Sequence, residues 1–83
     1  MLRITQSKTE SVVTIRLEGS LSGLWVEEAR TAIAALDPDA GMELDLSDLR
    51  YADLSGAKLL ADLCERGARV LAASRFVAQL LNI

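Results

Sequence analysis

The sequence predicts an α/β domain: about four strands in a mixed, mostly parallel sheet, with three helices, in the order β-β-α-β-α-β-α. Three observations lead there. Val13, Ile15 and Leu17, and again Met42, Leu44 and Leu46, alternate with polar residues at the period of a half-buried strand. Apolar residues recur at helical spacing over 24–36 and again over 57–64. Helical segments lying between strands imply right-handed crossovers, which make the flanking strands parallel. The 83 residues leave room for one domain, spanning 1–83, and the 51% apolar content is enough to fold it without staples.

Each element has its own warrant. Leu2 and Ile4 face one way and Arg3 and Thr5 the other, and "QSKTES" then reads as a polar turn. The second strand covers 13–18, Gly19 ends it, and "GSLSG" is a short loop. Ser22 is the expected N-cap of a helix over 24–36. Trp25, Ala29, Ala32, Ile33 and Leu36 form its apolar face, and Glu27 and Glu28 suit its positive end. "DPDAG" stops that helix, because Pro38 cannot continue it and Gly41 permits the reversal. A strand over 42–47 follows, then "DLRYA" as a loop. Ala57, Leu60, Ala61 and Cys64 make the stripe of the next helix, widened by Leu59 and Leu63, and Arg66-Gly67 closes it. "ARVLAA" is a short strand. Ser74 caps a last helix on which Phe76, Val77, Leu80 and Leu81 share a face.

Composition removes whole classes of function. With no histidine there is no Ser-His-Asp triad, no His general base and no zinc site of the usual His type. No nucleophile–base pair is visible, so an enzyme is not expected. A net charge of −3 and three aromatic residues argue against a nucleic-acid binder, which needs a basic face or stacking platform. The single cysteine, Cys64, falls among leucines and alanines and reads as a reduced, core-facing thiol. "MLRITQSK" lacks a signal-length apolar stretch, and no segment is long enough to span a bilayer. A cytoplasmic protein without membrane insertion is the expectation. Gly56 alone at the 51–60 junction is too little for a phosphate-cradling loop, so no cofactor is expected. Asp45, Asp48 and Asp53 offer carboxylates to Mg²⁺, but solvated turn aspartates are the commoner reading, and no metal is expected.

The informative stretch is "YADLSGAKLL", residues 51–60, where an apolar strand hands over to a helix through Asp53-Leu54-Ser55-Gly56. Together with "VTIRLEGSLSG" and "MELDLSDL", it resembles the STAS domain of anti-sigma factor antagonists. Asp45, Leu46 and Ser47 match that family's Asp-Leu-Ser stretch, and Asp53, Ser55 and Gly56 match three positions of its Asp-Ser-Ser-Gly motif. The resemblance runs over nearly the whole chain and implies a STAS-like fold without the last strand and helix of longer relatives. It also implies an antagonist that regulates transcription by partner switching. Its partner would be an anti-sigma factor serine kinase that supplies its own ATP and phosphorylates Ser55. The implied partner surface comprises Asp53, Leu54, Ser55, Gly56 and Lys58, with Ser20 and Ser22 in the neighbouring loop.

Two departures point elsewhere. Leu54 replaces the first serine of the motif, and Gly19-Ser20-Leu21-Ser22 stands where phosphorylated members often carry Gly-Glu-Leu-Asp. Such differences resemble STAS domains that act as unphosphorylated accessory subunits of ABC transporters or larger signalling complexes. The residues themselves leave both readings open. Ser55 suits an N-cap as well as a phosphosite, although Asp53 competes for the cap. Gly56 suits a partner's approach or tight helix–strand packing, and Trp25 suits a hot spot or the core. Lys58 and Arg50 could counter a phosphate or simply solvate a face. An uncovered "RVLAA" edge, or the face of Phe76, Val77 and Leu80, predicts a homodimer or a docked partner there.

Overall fold

The computed structural model describes residues 1–37 and 39–83. Its elements are β1 (Leu2–Thr9), β2 (Val12–Leu21), α1 (Leu24–Ala34), β3 (Gly41–Leu46), β4 (Leu49–Ala52), α2 (Leu54–Glu65), β5 (Arg69–Ala73) and α3 (Arg75–Leu81). The sheet therefore has five strands where four were expected. Pro38, expected to stop α1, lies outside the described residues.

Strand order is β1-β2-β3-β5, with β4 also beside β2. Among the described residues only the β1–β2 pair is antiparallel; β2–β3, β2–β4 and β3–β5 are parallel. "QSKTES" is not a long turn: β1 stays paired through Thr9 opposite Val12, leaving Glu10 and Ser11 as a two-residue hairpin loop. Backbone pairing decides that segment, since its polar side chains have no face to bury. "GSLSG" is likewise mostly strand, because β2 bends at Gly19–Ser20 and continues to Leu21. It continues because "LRYA" is β4 rather than loop, pairing with Gly19–Leu21 after a turn at Ser47 and Asp48. The Gly19 N–H donates to the Asp48 carbonyl at 3.1 Å and the Ser20 N–H to the Met1 carbonyl at 2.9 Å, so this end of β2 is held from both sides.

Both crossovers advance in one direction across the sheet, so right-handedness puts α1 and α2 on one face; α1 touches α2, and α2 touches α3. Beneath them Ile15, Leu17, Leu21, Leu44, Leu46 and Leu49 are fully buried, with Val26, Leu59, Leu60, Leu63 and Val77 above. Each such leucine contributes about 1.5–3 kcal/mol on leaving water. The opposite face is polar. There Arg16 reaches Glu18, Asp45 and Asp48, and Thr14 Oγ1 bonds Glu43 at 3.4 Å.

The helical stripes are rotated from those expected. α1 buries Val26, Ala29 and Ile33, so Trp25 lies 39% exposed instead of in the core. α2 buries Gly56, Leu59, Leu60 and Leu63, which leaves Ala61 exposed and Cys64 half-buried at a groove rather than core-facing. On α3 only Val77 is buried; Phe76 instead stacks on Tyr51 with centroids 6.1 Å apart. Gly67, at φ +101°, follows the C-cap Arg66 as expected.

Candidate functional site

The loop before α1 and the start of α2 meet where β2 and β4 end side by side, Leu21 opposite Ala52. Asp53 joins them. One carboxylate oxygen accepts the Gly56 N–H at 2.8 Å, and the other accepts the Gly23 N–H at 2.9 Å. A single side chain thus caps α2 and ties the residue before α1 to it. The Gly23 amide first, and the Gly56 amide next, hold the Asp53 carboxyl below its ordinary pKa range, because both hydrogen bonds favour the charged form. The Asp53 N–H in turn donates to the Leu21 carbonyl at 3.2 Å.

This geometry resolves the competition for the cap. Asp53 has the extended backbone of an N-cap, whereas Ser55 is already inside the helix. Ser55 is therefore released from capping and stands exposed on the first turn of α2. Leu54, beside it, is 85% exposed, and Lys58 is exposed on the next turn.

Gly56 faces inward, contrary to its expected place on a partner surface. A Cβ at that position would collide with the Leu21 carbonyl oxygen, so glycine is what lets α2 sit directly on the end of β2. Ser22 is not the cap of α1; the cap is Gly23, at φ 58° and ψ −131°, a conformation that favours glycine. Ser22 instead accepts the Trp25 N–H at its carbonyl, at 3.1 Å. Ser20 belongs to β2, half-buried and one residue before the strand ends at Leu21. Arg50 is exposed on β4.

The aspartates are engaged by the protein itself. Arg16 bonds Asp45 and Asp48, and Asp45 Oδ1 also accepts the Ser47 hydroxyl at 2.7 Å and its N–H at 3.1 Å. The Ser47 hydroxyl, then its N–H, lowers the Asp45 pKa, with the Arg16 charge adding to the shift. The Asp45-Leu46-Ser47 stretch is thus structural: Asp45 and Leu46 end β3, and the Asp45 carboxylate fastens Ser47 at the start of the turn that follows. Among the described residues no cluster of three potential ligands gathers to hold a metal.

Sequence reasoning missed Gly23 and Leu24. The signal was present as a glycine directly before the first helical residue, but Ser22 is the stronger capping residue by type. Leu24, like Leu54, is 85% exposed, so α1 and α2 each open on an apolar residue in water.

No protein-family model matches the sequence, and no curated protein sequence does. Among solved structures, the crystal structure of an anti-sigma factor antagonist STAS domain from Rhodobacter sphaeroides resembles this chain with a TM-score of 0.61. The match covers 93% of this chain and 90% of that one, at 21% identity. The chain has a STAS fold. Within the STAS fold observed here, the Asp53–Gly56 junction sits where α1 and α2 both begin, at one end of the sheet. Among the described residues no helix is long and apolar enough to cross a membrane.

Proposed function

We propose that this STAS domain works by binding rather than catalysis, as an anti-sigma factor antagonist-like switch regulated at Ser55. The observation that carries the reading is the exposed Ser55 side chain on the first turn of α2, beside a cap that leaves the serine free of structural duty. A serine kinase partner would transfer the γ-phosphoryl group of ATP. The serine oxygen forms the new P–O bond, the bond to ADP breaks, and the hydroxyl proton passes to a base of the kinase.

The product adds about −1.5 to −2 charge at neutral pH, next to Asp53 and in a chain already at −3. An acidic partner surface that tolerates the hydroxyl is then repelled. The fold survives, because the positive end of α2 partly compensates the new charge and Lys58 stands one turn along. Incubation with a cognate anti-sigma factor serine kinase and ATP should add one phosphate by intact mass. Ser55→Ala should add none. Equal phosphorylation of the alanine variant, or none of the wild type, would sink the assignment.

A second reading rests on Leu54. An apolar side chain 85% exposed beside Ser55 suits a standing contact better than a charge-controlled one. It favours an unphosphorylated accessory subunit of an ABC transporter or a larger signalling complex. In that case Leu54→Ser weakens complex formation while ATP and kinase change nothing.

A further inference from the structure

We propose that the groove between α2 and α3 is a two-fold interface for a second copy of this chain. The groove holds about 730 Å³ and is lined by Leu54, Ala57, Ala61, Cys64, Leu80 and Ile83. Leu80 is 39% and Ile83 68% exposed, so apolar surface stands in water over two helices. Leu54, Lys58, Ala61 and Glu65 follow one another at i, i+4, i+7 and i+11, a single outward ridge of α2, and all four are exposed.

The charges on that ridge say what covers it. Lys58 and Glu65 are equally far from the point of α2 between Ala61 and Asp62, and their signs are opposite. A second α2 laid antiparallel across that point brings Lys58 beside Glu65 of the second copy, and Glu65 beside its Lys58. The ridge is therefore self-complementary, as an isologous interface requires. A parallel arrangement would set Lys58 against Lys58 and is disfavoured. Ala61 at the centre lets the two helices approach closely, and Leu80 and Ile83 close over the flanks.

Sedimentation velocity on the full chain, from micromolar to near-millimolar concentration, tests this. Wild type should dimerise reversibly. Lys58→Glu and Glu65→Lys should each weaken the dimer by about tenfold, since each places like charges together twice. The double variant K58E/E65K should return to within about threefold of wild type. Both positions are exposed, so the variants should fold, which circular dichroism checks. A monomer throughout, a dimer indifferent to the single reversals, or a double variant that stays weak each overturns the proposal. So does a monomeric chain whose Leu80 methyl signals shift only when a different protein is added.

Leu54 and Lys58 also belong to the surface proposed for the kinase, so on that reading the kinase and the second copy compete. Self-association is measured on the chain alone, and its failure leaves the Ser55 assignment standing.

Discussion

At Gly56 one missing methyl group decides how the two halves of the site meet. The helix start rests on the Leu21 carbonyl, the Asp53 N–H donates to that same carbonyl, and the Asp53 carboxylate accepts the Gly56 N–H. A Cβ there must push α2 off β2, because a backbone carbonyl cannot rotate aside as a flexible side chain does. Gly56→Ala should therefore destabilise the domain by about 1–3 kcal/mol, the usual cost of overpacking, despite alanine's better helix propensity. Urea titration followed by circular dichroism checks it; an unchanged or raised midpoint would show that the helix can shift without loss. The same residue shows why side-chain type alone misleads. A glycine beside a serine invites a functional reading, but which way it points depends on β2 ending beneath it, and no local spacing states that.

At the scale of elements, legibility tracks how local the cause is. The core strands, α1, α2 and α3 were readable because period-two and helical patterns are properties of neighbouring residues. β4 was not readable, since four residues including Arg50 carry too short a pattern, and only the end of β2 makes them a strand. The expected stripe of α1 holds at Ala29 and Ile33 but differs at its start: Trp25 outweighs Val26 in size, whereas helix geometry buries Val26 with Ala29 and Ile33. Asp53 and Ser55 were legible as candidates; their division of labour was not. Ser74 is a case where the sequence reading held and the structure adds a partner. Its hydroxyl accepts the Val77 N–H at 3.3 Å as the N-cap of α3 and donates to the Leu49 carbonyl at 2.7 Å, fastening α3 to β4. Ser74→Ala removes both bonds and should cost about 1–2 kcal/mol. That lowers Tm by roughly 4–8 °C per kcal/mol in a domain of this size. A change within error in calorimetry would mean that water replaces the hydroxyl at no cost.

For the whole molecule, charge is distributed by face. The helical side is apolar beneath and opens on leucines at the Ser55 end, while the open sheet face carries the Arg16 ion-pair cluster. Two carboxylates with lowered pKa link this distribution to folding: Asp53 between the helix starts and Asp45 near the end of β3, bonded to Ser47 in the turn that follows. A carboxylate whose folded pKa lies below its unfolded value of about 4 contributes stability that is complete above that value. The contribution is lost as pH falls through the folded pKa, because the unfolded chain takes up the proton first. Stability should therefore be insensitive to these two groups from neutral pH down to about pH 4 and fall below it. Asp53→Asn offers a single acceptor oxygen where two amide donors need one each, as does the protonated acid. The variant should be less stable than wild type at neutral pH, and the gap in Tm should close as acid protonates the wild-type carboxylate. Curves that stay parallel from pH 7 to strongly acidic solution would show that the Gly23 and Gly56 bonds do not depend on the charge. Gaps that narrow only for the Asp53 variant, and not for Asp45→Asn, would place the acid-sensitive joint at the helix starts, beside the one serine on which the proposed switching rests.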